Sequence, residues 1–469
     1  MSVLPSVFAA SPSPQPSPRG GEGEIAAFLA RQIAIFEAAH PRTLELAQAS
    51  SAVWRGGVPM HWMGDWSSPV PLFAERAKEA TLWDVDGHAY DDFCLGDTPS
   101  MFGHGREELQ RAIADQALNG VGFMLPTVRS LRVGQLLTER FGLPLWQCAT
   151  TASDANRAVI RWARAITKRR KILIIDGCYH GMVDDAFVVL KDGQATAKKG
   201  LIGQVTDLTQ STVVVPFNDL PAMSAALKRG EVACVLLEPV MTNCGMILPD
   251  EGYHQALRAL CDETGTLLVY DETHTLSSGF GGYVREHGLR ADILTVGKAI
   301  AGGVPAAVWG VSAEVAARMD AAQAEIGAGS SGIGTTLSGN ALAIAGMEAM
   351  LTEVMTPEAY DYMQAGATYL VDGLREVIAR QGVDWSVVHV GARAELVFAS
   401  PTPRNAAEMR PHLEGALLPA FHLYLINKGV LIAPFHNMML ISPKTSYEAT
   451  DRLVAAVEGF VKEYKALNI

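Results

Sequence analysis

Five short apolar runs in the middle of the chain show no alternation of polar and apolar positions. They are KILIID (171–176), STVVVPF (211–217), VACVLLEP (232–239), GTLLVYDE (265–272) and ADILTVG (291–297). A strand that is apolar at every position is covered on both faces, as in a parallel sheet between layers of helices. Between the runs lie segments with helical spacing of apolar residues, such as DANRAVIRWARAITKRR and GYHQALRALCDETG. That alternation predicts an α/β fold over residues 105–345. Elsewhere the pattern changes. ATLWDVDGHAYDDF (80–93) alternates around a DVDG turn and predicts a β-hairpin. Helical periodicity starts at Ile25, whereas SPSPQPSPRGGEGE (11–24) is too rich in Pro, Ser and Gly to bury anything. Residues 1–24 therefore read as a disordered tail. Residues 25–104 form an N-terminal segment expected to pack with a smaller α+β domain at 346–469. That domain has strands near WSVVHVGARAELVFA and GVLIAPFHNMMLISP and a closing helix from Glu448.

Composition narrows the function classes. With 469 residues, 49% of them hydrophobic, the chain can bury a large core in more than one domain. A net charge of −12 argues against nucleic acid or an anionic membrane surface as partner. No run approaches the ~18 consecutive apolar residues of a membrane span, and the first ten residues make a poor secretory signal. The six cysteines (94, 148, 178, 234, 244 and 261) are scattered without a C-x-x-C pair, so reduced thiols in a cytoplasmic protein are expected. The twelve histidines show no ligand spacing, and no metal is expected.

In open α/β sheets, ligands bind beyond the carboxyl ends of the strands. Those ends carry Asp176 and Gly177, Glu238, Asp271 and Glu272, and Lys298 in TVGKAIAGG. A lysine ending an apolar strand must snorkel to water, find a partner or lose its proton. A neutral lysine serves as base or Schiff-base former. Asp271, after LLVY, needs a cationic or hydrogen-bonding partner, whether as a helix cap, in an ion pair or on a cofactor. Together, Lys298 and Asp271 suggest pyridoxal phosphate (PLP), which needs a lysine at its aldehyde and an acid at its ring nitrogen. ATTASDANRA (149–158) offers Thr151, Ala152 and Ser153 just ahead of a helix, either as an anion cradle or as an ordinary cap.

DGCYHG (176–181), LLEPVMTNCG (236–245), LLVYDETHT (267–275), TVGKAIAGG (295–303) and TTLSGNALA (335–343) stand in the order and spacing of class III PLP-dependent aminotransferases. The chain resembles the branch around glutamate-1-semialdehyde aminomutase, near β-amino-acid, D-phenylglycine and amine transaminases. The resemblance covers roughly residues 50–465. It implies the fold-type I architecture: a large domain with a mostly parallel sheet of seven strands between helices, a smaller α+β domain, and a homodimer. It makes Lys298 the lysine that binds PLP and shuttles the substrate proton, and Asp271 the partner of the ring nitrogen. Tyr179 would stack on one ring face, with Thr273 in place of the family's valine on the other. Thr151, Ala152 and Ser153 stand where the family has Ser-Gly-Thr at the phosphate. Thr336 matches a threonine that reaches the neighbouring subunit's phosphate, with Thr335 replacing a glycine beside it. Glu238 and Asn243 match a pair near the cofactor's hydroxyl. His180 could touch substrate or bond within the core, and His274 is expected to be structural. GAGSSGIGTT (327–336) could cradle phosphate or form a mobile interface loop.

One departure from the family bears on substrate. Carboxylate-specific relatives place an arginine shortly after a Gly-Gly pair, for bidentate contact with the substrate acid. Here SAVWRGGVPMHWMGDW puts Met60 at that place, beside His61 and Trp62, with Trp54 before the glycines. Such residues line apolar pockets or simply pack the segment down. The expectation is a transaminase moving an amino group between a bulky or apolar amine (or amino acid) and a keto acid or ketone, by a ping-pong scheme. Arg393 is the remaining candidate carboxylate anchor. An aminomutase is the alternative, and a non-catalytic PLP- or amine-binding protein a more distant one.

Overall fold

The computed structural model describes residues 22–467 other than 328 and 330; most of the expected N-terminal tail lies outside them. Its last residues do not: a helix already begins at Glu22 and runs to Ala39.

The centre is a seven-stranded sheet. In chain order its strands are β1 (Leu145–Ala149), β2 (Lys171–Ile175), β3 (Thr212–Val215), β4 (Val232–Leu237), β5 (Leu267–Asp271), β6 (Ile293–Val296) and β7 (Ala307–Val311). Their spatial order is β1-β7-β6-β5-β4-β2-β3. Pairings among β3, β2, β4, β5 and β6 are parallel, while β7 runs antiparallel to both β6 and β1. The five apolar runs became five parallel strands. Every residue of β4 and of β5 is buried, which explains their lack of alternation. Two strands escaped the pattern. LWQCA (β1) is a partly exposed edge with a Gln at its centre, and AVWGV (β7) follows so closely on the glycines after Lys298 that it merges with their loop.

Helix α1 (Ala152–Thr167) follows β1 and shows how local sequence sets the frame. The Thr151 hydroxyl caps it by accepting the Asp154 amide at 3.3 Å. Its inner face buries Ala155, Val159, Ile160 and Ala163 against the sheet, with one polar residue, Asn156, among them.

The expected hairpin is Thr81–Asp84 with Ala89–Asp92; a further strand, Ala74–Lys78, flanks it, and Val430–Leu431 joins the far side in parallel. Strands Ser386–Val390, Arg393–Val397 and Met438–Leu440 form a small antiparallel sheet. Helices Pro357–Gln381 and Tyr447–Ala466 complete that region. Phe28 of the first helix packs on Tyr424 and Phe460, seating the N-terminal segment there. Among the described residues, His40, Asp84 and His88 form one trio with metal-ligating atoms close together. Those atoms are engaged in hydrogen bonds: His40 with Phe36 O and the Tyr90 hydroxyl, and His88 and Tyr90 with Asp84 Oδ2. The trio fastens the hairpin. All six cysteines are unpaired, and no described helix is long and apolar enough to cross a membrane.

Candidate active site

Because β1, β2, β4, β5 and β6 point the same way, the residues following them meet at one rim. There a cavity of about 520 Å³ opens, lined by Thr150–Ser153, Gly177–Gly181, Glu238, Asn243, Asp271, Thr273, His274 and Lys298, with Trp62, Asp97, Lys198, Phe435 and His436 from other segments. Its size suits a cofactor and a small substrate together.

Lys298 takes a left-handed backbone (φ 48°), rare outside glycine and frequent at functional sites. Gly297 before it cannot carry a side chain, since a Cβ would lie 2.9 Å from Ala152 Cβ. Nζ is neither buried alone nor free in water. It lies 2.5 Å from Asp97 Oδ2 and 2.5 Å from His274 Nε2.

Asp271 is almost fully buried, and four donors answer the need that its position created. Asn156 Nδ2 (2.8 Å) and His180 Nδ1 (3.0 Å) donate to Oδ2, while the Thr273 amide (3.1 Å) and hydroxyl (2.6 Å) donate to Oδ1. Burial works to raise its pKa, but His180, Thr273 and Asn156 outweigh it and hold the carboxyl at about 2. The result is a carboxylate on the cavity wall that is ionised at neutral pH. His180 is thus bound to Asp271, with its Nε2 buried and unpartnered.

At the mouth of α1, Ser153 Oγ accepts the Met182 amide at 3.0 Å. A side chain on Gly181 would put its Cβ 2.1 Å from that same Oγ. A helix N-terminus beside this tight turn suits an anion. Tyr179 and Thr273 both line the cavity, and the Tyr179 ring meets Trp62 edge-on at 5.3 Å. Glu238 accepts from the Thr242 hydroxyl and from Asn243 Nδ2 (3.1 Å), and burial raises its pKa. The Thr242 hydroxyl lies 2.5 Å from His274 Nδ1, so a hydrogen-bonded row runs from Glu238 to Lys298. Burial, with Lys298 beside it, lowers the His274 pKa well below the usual imidazole range.

Other expected residues lie elsewhere. Arg393 is sealed behind the cavity wall at 0% exposure, its Nε on His274 O (3.1 Å) and Ser277 Oγ (2.8 Å) and its Nη2 on Thr98 Oγ1 (2.6 Å). With its donors turned inward, it offers a substrate carboxylate nothing. Trp54 and Met60 are exposed and, like His61, are not among the described residues lining the cavity; of that segment only Trp62 reaches it. Thr335 and Thr336 lie on an exposed loop outside this chain's cavity, with Thr335 Oγ1 2.8 Å from Thr150 Oγ1. His274, expected to be structural, touches the reactive amine. Asp97 carries no motif signal, only a Gly-Asp-Thr-Pro turn. Asn156 could have been found as the one polar residue on the apolar face of α1.

The sequence signature of the family Aminotransferase class-III matches residues 62–461. The chain belongs to the class III aminotransferases. It is 34% identical over 404 residues to a glutamate-1-semialdehyde 2,1-aminomutase of Anaeromyxobacter sp. (strain Fw109-5), covering 84% of this chain and 89% of that one. Among solved structures, a glutamate-1-semialdehyde-aminomutase from Pseudomonas aeruginosa PAO1 superposes with a TM-score of 0.92 at 40% identity, over 94% and 99% of the two chains. That protein has also been solved in complex with PMP. A β-phenylalanine aminotransferase from Variovorax paradoxus superposes with a TM-score of 0.85 at 27% identity, again over 94% and 99%. The chain is therefore a PLP-dependent enzyme of fold type I. The residues present fit that cofactor: an ionised carboxylate, a lysine across the cavity and a tight turn at a helix N-terminus. When bound, PLP supplies an electron sink for the carbon bearing the amino group.

Proposed function

We propose that this class III aminotransferase moves an amino group within one substrate molecule, as an aminomutase does. The aminomutase relatives, at 34% and 40% identity over most of both chains, support this reading over the transaminase expected from the sequence. The chemistry itself rests on one juxtaposition, the Lys298 amine and the ionised Asp271 on a single cavity. In this reading Asp271 keeps the ring nitrogen of PLP protonated. Lys298 would hold the cofactor and, once displaced by substrate, take the proton from the substrate carbon that bears the amino group and return it. Tyr179 and Thr273 hold the ring between them. The amides at Thr151, Ala152 and Ser153 meet the phosphate, and Glu238 and Asn243 face the hydroxyl side.

The protein is proposed to work as a homodimer in which Thr336, with Thr335 beside it, completes the neighbouring subunit's phosphate site. In support, the large apolar side chains Leu118, Met124, Leu125, Val128 and Leu131 are all largely exposed along one short stretch.

A second reading, an intermolecular transaminase for an apolar amine, is supported by the aromatic wall. Trp62 packs on Tyr179 at 5.3 Å and on Phe435 at 5.9 Å. Among the described residues lining the cavity there is no arginine. One experiment separates the two readings. The PLP-loaded protein is given glutamate 1-semialdehyde, or 1-phenylethylamine, with and without a keto acid. An isomeric product without acceptor supports the aminomutase. Ketone formation only with added keto acid supports the transaminase, and no product under any condition overturns both.

A further inference from the structure

Asp97 lies in a loop with strained backbone. Leu95, Asp97 and Thr98 have φ of 50°, 59° and 97°, with Gly96 among them at 66°. Non-glycine residues occupy that region at a cost, and persist only where surrounding contacts dictate it. Asp92 takes the Cys94 and Leu95 amides at 2.9 and 2.7 Å. The buried Arg393 holds Thr98 and, through Nε, the His274 carbonyl. One guanidinium thus ties together the two loops whose side chains, Asp97 and His274, meet Lys298 Nζ.

The cavity's carboxylates differ in what they leave open. Asp271 spends both oxygens on His180, Asn156 and Thr273, and Glu238 spends both on Thr242 and Asn243. Among the described residues, Asp97 has one side-chain hydrogen bond, and its partner is the reactive lysine. Burial pushes the Asp97 pKa up, but the Lys298 ammonium outweighs it and leaves the group ionised, at about 2. A lysine joined to the cofactor would no longer present a free ammonium to Asp97. Asp97, about a third exposed, would then lack the counter-ion that keeps it charged. A poorly solvated charge without a partner is costly, so the site favours a replacement cation. A substrate amine arrives as an ammonium at neutral pH, and it must reach the place that Nζ serves.

We propose that Asp97 is the receiving group for the substrate's ammonium, exchanging the Lys298 cation for the incoming one and selecting cationic amines over neutral molecules of the same shape. The inference rests on the amino-transfer reading and names the form of substrate that the site admits, a protonated primary amine, under either reading of the reaction.

The test uses the PLP-loaded protein and N,N-dimethylbenzylamine, which carries the charge but cannot condense with a carbonyl. Benzyl alcohol is the neutral counterpart, and both dissociation constants are measured by calorimetry. The wild type is expected to prefer the cation by about tenfold or more, as a hydrogen bond to a charged group implies. Asp97→Asn should remove that preference and Asp97→Glu should restore part of it. A merely structural role for Asp97 would weaken both probes alike, and an unchanged preference in Asp97→Asn overturns the proposal. If that variant does not fold, the wild type still decides: equal binding of the two probes overturns it too. A wild type that takes up no PLP is seen before any probe is added, and overturns the amino-transfer reading instead.

Discussion

Asp271 and Glu272 are neighbours in the chain, yet their surroundings push their pKa values in opposite directions. Replacing Lys298 with Ala should lower turnover by about a thousandfold or more, since one amine serves as both attachment point and base. Borohydride treatment followed by denaturation should leave cofactor absorbance on the wild type and none on Lys298→Ala. Glu272 accepts from the Thr275 hydroxyl and the Tyr283 and Val284 amides, but burial dominates and raises its pKa to about 7. The folded state therefore holds a proton that the unfolded chain has already lost. Its contribution is full below the unfolded value of 4.5 and declines as pH rises to about 7. Wild-type stability relative to Glu272→Gln, from urea unfolding, should fall across that window and stay flat above it. A difference that rises with pH would contradict the assignment. Asp271, at about 2, has the opposite sign: its contribution is present above 3.8 and lost as pH falls toward 2.

At the scale of elements, the turn after β2 and the start of α1 act as one unit. Gly181 has a φ of 84°, and a side chain there would strike Ser153. Gly181→Ala should therefore cost roughly 1–3 kcal/mol. It should also weaken PLP binding at least about tenfold, measured by absorbance titration of the apoprotein. Arg393 makes the analogous join between the Asp97 loop, the His274 loop and the small sheet. Removing it leaves Thr98 Oγ1 and Ser277 Oγ without that donor in the interior, while His274 O keeps the Ser277 hydroxyl and amide. Arg393→Ala should cost roughly 3 kcal/mol or more. It should raise the Michaelis constants of carboxylated and uncarboxylated substrates together. A rise confined to carboxylated substrates would restore Arg393 as their anchor.

For the whole molecule, the exposed stretch from Leu118 to Leu131 sets the expectation. The protein should sediment as two chains. Leu125→Glu, at the centre of that stretch, should give single chains that bind PLP at least about tenfold more weakly, because Thr336 no longer completes a neighbour's site. Single chains that bind PLP as tightly as the wild type would refute the shared site.

The sequence by itself determined the parallel core, since strands such as VACVLLEP are apolar on both faces and only a covered sheet accommodates them. It also determined which residues end those strands, and so brought Lys298, Asp271 and Glu238 to one rim. Tertiary structure decided the rest, for physical reasons visible in single residues. Asp97 is 201 positions from Lys298 in the chain, and Arg393 is 295 from Thr98. No local spacing records such pairs, because they form only when separate loops fold over the same rim. Arg393 looked like a charge available to substrate; burial and three inward-facing acceptors made it a fastener instead. Edge strand β1, half exposed and interrupted by a Gln, likewise has no period to read, and the pairing with β7 alone makes it a strand.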